Sequence, residues 1–258
     1  MKISVIQPDT RLGDFGTNFD NMQRLLYDSL KSSPDVILLP ELWPSGFYPE
    51  NITVEADTLT EKGRLLLSRF AEENRVNIVG GSLPCPKGEY ITNTCLVFDR
   101  SGAVIHRYSK CHLFSPSGED KAFKPGDALT TFNLEGANCA VAICYDVRFP
   151  EFIRKAALEN IDLLFIPAAW PERRLIHWQT LLRARAIENQ IFVAAANSAG
   201  EMLGEKCAGS STIIDPWGEI LAAAGESENI ISANLRLIMR HQIKETIDVF
   251  CDRRPELY

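Results

Sequence analysis

Short runs of alternating or continuous apolar residues recur along the chain, separated by longer segments in which apolar positions return every three or four residues. Strand patterns fall near residues 2–7, 35–39, 76–82, 91–98, 103–109, 138–143, 162–166, 191–196, 209–214, 219–223 and 229–234. Helical patterns lie near 17–32, 60–74, 149–159, 173–189 and 235–246. In the fourth helical segment Leu175, Trp178, Leu182 and Ala186 form a stripe that Leu181 and Ile187 widen. Such a stripe predicts a core or subunit-packing face rather than a ligand surface.

The two halves of this pattern repeat each other. Asp35-Val36-Ile37-Leu38-Leu39-Pro40-Glu41-Leu42-Trp43 echoes Asp162-Leu163-Leu164-Phe165-Ile166-Pro167-Ala168-Ala169-Trp170. Glu73-Asn74 and Glu188-Asn189 each close a helix ahead of a strand, and Asp99-Arg100-Ser101-Gly102 and Asp215-Pro216-Trp217-Gly218 each carry a type I turn signature. Each half therefore reads as a β-α-β unit ending in an antiparallel hairpin. Stacking the apolar inner faces of two such sheets predicts an α/β fold, a four-layer α-β-β-α sandwich with an internal two-fold pseudo-repeat. A doubly wound single sheet explains the hairpins poorly, and the chain has neither a G-x-G-x-x-G nor a P-loop sequence. With no linker-like stretch, residues 1–258 are expected to form one domain.

Composition narrows the function. The chain has 258 residues, a net charge of -7 and 45% hydrophobic residues, which suits a globular protein and disfavours nucleic acid as a partner. No run approaches the roughly 18 apolar residues of a membrane span, and Met1-Lys2-Ile3-Ser4-Val5-Ile6 does not resemble a signal peptide. Seven cysteines, odd in number and without a C-x-x-C pair, predict free thiols and a cytoplasmic location.

Three residues stand where chemistry is usually presented, at the carboxyl ends of strands. Cys144 ends the apolar strand of Ala140-Val141-Ala142-Ile143 and precedes a tight turn into a helix near Phe149. A buried structural cysteine would fit the same segment. Glu41 follows Leu39-Pro40 in an apolar setting that would raise a carboxyl pKa. Lys110 ends the strand Val104-Ile105-His106-Arg107-Tyr108-Ser109, where a solvated lysine is the ordinary outcome.

Their company changes that outcome. Leu39-Pro40-Glu41-Leu42-Trp43-Pro44-Ser45-Gly46-Phe47, Tyr108-Ser109-Lys110-Cys111-His112-Leu113-Phe114 and Ile143-Cys144-Tyr145-Asp146-Val147-Arg148-Phe149-Pro150-Glu151 resemble the three signatures of the nitrilase superfamily of carbon-nitrogen hydrolases, in the family's order. Phe123-Lys124-Pro125-Gly126-Asp127 and Arg183-Ala184-Arg185-Ala186-Ile187-Glu188-Asn189 extend the likeness. The resemblance implies Glu41 as general base, Lys110 as oxyanion stabiliser and Cys144 as nucleophile. A further family glutamate best matches Glu119, with Asp120 adjacent. In such a site a thiolate attacks an amide carbonyl, and the oxyanion is held by Lys110 and the backbone N–H of Tyr145; one such donor contributes roughly 3 to 4 kcal/mol. No metal or organic cofactor is required. His106, His112, His177 and His241 form no zinc motif, and a Cys-His pair would leave Glu41 and Lys110 without roles. His112 is expected behind the site.

Tyr145-Asp146 resembles the amidase branches, and Ala169-Trp170-Pro171-Glu172-Arg173-Arg174 is similar to the ω-amidase-like members, which act on small amides such as 2-oxoglutaramate. Phe47, Tyr48 and Trp170 are expected to line the pocket, with Arg148 or Arg173 holding a substrate carboxylate. Arg148 would alternatively pair with Glu151, and Arg173 would alternatively cap a helix start. An N-carbamoyl amino acid hydrolase would use the same residues, and a noncatalytic nitrilase-like interaction protein should have lost one of them. The helices near 149–159 and 173–189 resemble those through which family members pair, which implies a homodimer, with the tail of about 246–258 crossing to the partner.

Overall fold

Period-two alternation divides each strand of the first half between two apolar clusters. Ile3, Val5, Val36, Leu38, Val79 and Val97 enter one cluster, while Ile6, Ile37, Ile78, Leu96 and Phe98 enter the other. The first cluster also takes in both faces of the second sheet, with Leu163, Leu164, Phe165 and Val193, so it comprises the layer between two stacked sheets and runs on into the outer layer of the second. The computed structural model describes residues 1–257.

The first sheet runs in space Asn229–Asn234, Lys2–Gln7, Val36–Leu38, Asn77–Val79, Tyr90–Phe98 and Leu83–Lys87, with Val104–Ser109 also paired to Tyr90–Phe98. The second runs Ile220–Ala223, Thr212–Ile214, Phe192–Ala196, Leu163–Pro167, Ala137–Val141 and Thr131–Leu134. In each, three parallel strands meet an antiparallel hairpin. The hairpin turns match in detail. Gly102 N–H donates to Asp99 O and Gly218 N–H to Asp215 O, both at 2.9 Å, and each aspartate carboxylate accepts two further backbone N–H groups of its own turn.

Helices α1 (Phe15–Ser29) and α2 (Ile52–Asn74) cover the outer face of the first sheet through Met22, Leu25, Leu26, Leu67 and Phe70. After the short α3 (Glu119–Ala122), helices α4 (Pro150–Leu158) and α5 (Leu175–Asn189) cover the second with Ile153, Ala156, Trp178, Leu182 and Ala186. The layers are thus α-β-β-α with a pseudo-two-fold repeat. The halves are tied together where Asn229–Asn234 crosses to pair with Lys2–Gln7. Buried Gln7 adds a link, donating to Gly225 O and Ser227 O and accepting from Ser211 N. No helix among the described residues is long and apolar enough to cross a membrane.

Several elements depart from the expected boundaries. Helix α2 begins at Ile52, ahead of the expected start near 60, and its first turns already bury Ile52, Ala56 and Leu59 at helical spacing, with the polar Thr53, Glu55 and Asp57 between them. The strand Leu83–Lys87 was hidden by Pro84 and Pro86, which a sheet tolerates at an edge. Asp9–Arg11, Ala199–Met202 and Glu205–Lys206 form a small third sheet too short for any periodicity to reveal.

The turn that delivers Glu41 depends on one glycine. Gly81 has φ +66°, and a Cβ there would lie 2.0 Å from Pro40 O. Gly81→Ala is therefore expected to destabilise the protein by more than about 2 kcal/mol in urea unfolding and to lower activity by displacing the Glu41 turn.

Candidate active site

Four segments converge between the sheets at the carboxyl ends of the parallel strands. Glu41 follows Val36–Leu38, and Lys110 follows Val104–Ser109. Glu119 opens α3, and Cys144 follows Ala137–Val141. Glu41, Lys110 and Glu119 are 0% exposed, and Cys144 is 7% exposed.

Lys110 Nζ donates to Glu41 Oε1 at 2.7 Å and to Glu119 Oε1 and Oε2 at 3.0 and 2.8 Å. Its backbone is fixed by Lys110 N–H to Asn93 O and by Gly126 N–H to Lys110 O, which explains the Phe123–Asp127 motif. Glu119 Oε2 also accepts from Phe114 N, while Asp120 is exposed. Glu41 Oε2 accepts the Ala169 N–H at 3.0 Å, and Glu41 N–H donates to Ala168 O. Two strand-end turns related by the repeat thereby meet. Asn93 Nδ2 reaches both Glu41 Oε1 and Glu119 Oε1.

Burial pushes the Glu41 carboxyl above its ordinary value, with Lys110 acting in opposition. The ammonium of Lys110 is held well above its ordinary value, because the attraction of Glu119 and Glu41 outweighs the desolvation that would lower it. For Cys144, burial and then the adjacent Glu41 charge push the thiol well above its usual range, and Lys110 offsets only part of this. Both shifts favour a neutral thiol beside Glu41.

Cys144 has φ +47°, an uncommon left-handed backbone for a residue with a side chain. A 3-10 helix, Cys144–Arg148, fills the link to α4 that a simple turn was expected to make. Buried Asp146 secures it. Its Oδ2 accepts from Tyr108 Oη–H at 2.6 Å and Ile143 N–H at 2.8 Å, and its Oδ1 accepts from His112 N–H at 2.9 Å and meets His112 Nδ1 at 2.8 Å. His112 therefore stands behind the cysteine turn, stacked on Phe149 at 3.8 Å. Buried Arg185 holds the other side through Nε–H to Val147 O at 2.9 Å.

A cavity of about 390 Å³ opens onto Cys144. Of the residues expected to contact substrate, Phe47, Arg148, Trp170 and Arg173 line it, as does Tyr145. Tyr48 is a correction. It is not among the lining residues; its hydroxyl donates to the backbone of Ser117, which is. Arg148 does not pair with Glu151; its guanidinium lies 4.6 Å from the Trp170 ring centroid and contacts His177. Arg173 is paired with Glu205 at 2.7 Å. Arg174, which the sequence reading did not single out, also lines the cavity and stacks over Phe114 at 4.9 Å. Buried Asn197 fixes the Trp170 loop, accepting from Trp170 N and donating to Trp170 O and Gly209 O. Asn93, Asp146, Arg185 and Asn197 were missed as site residues; only Asp146 and Arg185 lay within quoted motifs.

A fold that converges a thiol, two carboxylates and an ammonium at its strand ends is that of the carbon-nitrogen hydrolases. The model of that family matches residues 2–245, and the chain belongs to it. A 2-oxoglutaramate amidase of Bacillus subtilis (strain 168) is 40% identical over 256 residues, 99% of this chain and 98% of that protein. The human omega-amidase NIT2 is 32% identical over 251 residues, covering 93% of this chain and 91% of its own. Among solved structures, a cysteine-to-alanine mutant of a Nesterenkonia sp. AN1 amidase in complex with butyramide matches at 30% identity and TM-score 0.89, over 100% of this chain and 95% of that one. That amidase is described as a member of the nitrilase superfamily.

Removing Lys110 would strand two carboxylates in the interior. Lys110→Ala is expected to lose about 3 to 5 kcal/mol of stability at neutral pH. Protonating Glu41, whose carboxyl burial already raises, relieves part of the repulsion, so the deficit should narrow as the pH falls from neutral toward the ordinary glutamate value of about 4.3. Urea unfolding of both proteins across pH measures this.

Proposed function

We propose that the protein is a cysteine-dependent ω-amidase that hydrolyses small amides bearing a distal carboxylate, such as 2-oxoglutaramate, to the acid and ammonia. The observation that carries this is a neutral buried thiol beside an ionisable buried carboxylate, at the floor of a cavity whose arginines outnumber its acids.

Cys144 Sγ attacks the amide carbon while Glu41 accepts the thiol proton. Because the resting thiol is protonated, proton transfer accompanies attack, and a carboxyl raised by burial suits that exchange. The carbonyl oxygen becomes an oxyanion facing Lys110 and the Tyr145 N–H, which lies in the first turn of a 3-10 helix where amides lack intrahelical partners. Lys110 already donates to three carboxylate oxygens, so it serves the oxyanion by sharing those protons. Glu41 then protonates the departing nitrogen, ammonia leaves, and a thioester remains. Water gives a proton to Glu41 as its oxygen attacks the thioester, and collapse frees the carboxylic acid and restores the thiol. Glu119 keeps Lys110 in place throughout.

Substrate charge is read by Arg148 and Arg174. Arg173 is occupied by Glu205, while the other two have aromatic contacts and no carboxylate partner among the described residues. Burial, reinforced by Arg173 and Arg148, lowers the Arg174 guanidinium from its usual value, which an arriving carboxylate would reverse.

Exposed Ile176 and Ile187 on α5 support pairing of two copies through that helix. The start of the tail lies beside its C-terminal end, since Gln190 Nε2 donates to Ile247 O. Seven free thiols support a reducing compartment, the cytoplasm.

Ammonia release is expected from 2-oxoglutaramate and succinamate, and not from N-carbamoyl-β-alanine or a short nitrile, with Cys144→Ala inactive. Release only from the carbamoyl compound would replace the ω-amidase assignment. Arg174→Ala and Arg148→Ala should raise KM for the acidic amides about 10-fold or more, and an unchanged KM in both would remove them from carboxylate binding. The sign of the pH dependence follows from Glu41. Its raised carboxyl loses base function at a higher pH than an ordinary glutamate near about 4.3, so kcat/KM should fall on acidification with a midpoint above that ordinary value.

A further inference from the structure

Two nitrogens bridge the buried carboxylates. Lys110 Nζ is one, at 2.7 Å from Glu41 Oε1 and 3.0 Å from Glu119 Oε1. Asn93 Nδ2 reaches the same two oxygens, at 2.8 and 3.0 Å. The result is a closed ring of two donors and two acceptors. Asn93 is 0% exposed, and its Oδ1 has no partner among the described residues. A buried carbonyl without a donor is costly. Turning the side-chain amide over would place that oxygen against both carboxylates, so its orientation is dictated by them.

Counting lone pairs then distinguishes the two oxygens of Glu41. Oε1 accepts from Lys110 and Asn93, which fills its two sites, whereas Oε2 accepts only the Ala169 N–H. We propose that Asn93 is a positioning residue of the reaction, a neutral donor that saturates Glu41 Oε1 and so reserves Oε2 for the proton of Cys144. This rests on the amidase assignment above. The proton passes from Sγ to Oε2 as the C–S bond forms and from Oε2 to the departing nitrogen as the C–N bond breaks. A neutral donor is needed because a second cation would overbind the carboxylate, and an acceptor would repel it. The groups facing Glu41 are Lys110, Glu119 and Cys144, with the Tyr48 hydroxyl near Glu119; removing Asn93 changes none of their charges.

Without Asn93, Oε1 regains an open site and the ionised carboxylate loses a donor, so Glu41 should protonate at higher pH. The test follows alkylation of Cys144 by iodoacetamide against pH, read on the Cys144 peptide by mass spectrometry, in wild type, Asn93→Ser and Asn93→Ala. This readout needs no natural substrate, so it stands or falls separately from the ω-amidase assignment, which ammonia release from wild type decides. The acid-limb midpoint is expected to rise in the order wild type, Ser, Ala, with at least half a pH unit between the ends. For any amide that wild type hydrolyses, kcat should fall about 10- to 100-fold in Asn93→Ala with KM nearly unchanged, and Asn93→Ser should recover part of it. Coincident midpoints in folded variants would overturn the proposal. So would loss of folding in both variants, since that makes Asn93 a structural residue.

Discussion

One ammonium between two carboxylates, with all three groups out of contact with water, is the constraint on which this molecule depends. Taking such charges from water costs several kcal/mol per ion, and the cost is met only when geometry and additional donors are good. Here every charged atom is met. Lys110 spends its donors on Glu41 and Glu119, Asn93 adds a neutral bridge, and backbone N–H groups of Ala169 and Phe114 complete the carboxylates. Apart from Lys110, Phe114 and Glu119 these groups are far apart in the chain, and the Ala169 N–H comes from the second sheet, so the cluster is complete only when both sheets are in place. The same burial raises the thiol of Cys144 and the carboxyl of Glu41 together. That shared displacement makes proton exchange between them feasible without a resting thiolate.

The pseudo-repeat explains how the chain brings the cluster together. Strand ends in α/β sheets present side chains beyond the hydrogen-bonded ladder, and each half contributes a strand that runs into a proline, Pro40 or Pro167. In the first half the next residue is Glu41; in the second it is Ala168, whose carbonyl receives the Glu41 N–H. The two turns are therefore complementary rather than redundant. One carries the carboxylate, while the other supplies backbone donors and the Trp170 wall of the cavity. Cys144 comes from a third strand end, locked in a left-handed conformation by Asp146 and Arg185.

Much of this was legible in the sequence because it lay in periodicity and in motifs. The continuous apolar run of Val36, Ile37 and Leu38 announced a strand buried on both faces, the paired Asp-to-Gly turns announced the repeat, and the quoted segments located Glu41, Lys110, Glu119 and Cys144. The rest depended on distance in space. Asn93 sits inside a strand pattern that predicts only alternation, and nothing local says that its amide faces two glutamates. Arg173 and Arg174 are neighbours of the same type that both line the cavity, and only the third sheet, too short to leave a pattern, places Glu205 on the former and leaves the latter without a carboxylate among the described residues. Tyr48 follows Phe47 directly, yet it stands behind the lining, its hydroxyl spent on Ser117 O.

The state of the resting sulfur decides whether Glu41 acts as proton acceptor or merely as a fixed charge. Infrared spectroscopy of the wild-type protein, with Cys144→Ala subtracted to isolate one cysteine, reads it directly. A Cys144 S–H stretching band that persists from mildly acid through neutral to mildly basic pH is the predicted result. Absence of that band at neutral pH would mean a preformed thiolate and would contradict proton transfer to Glu41 during attack.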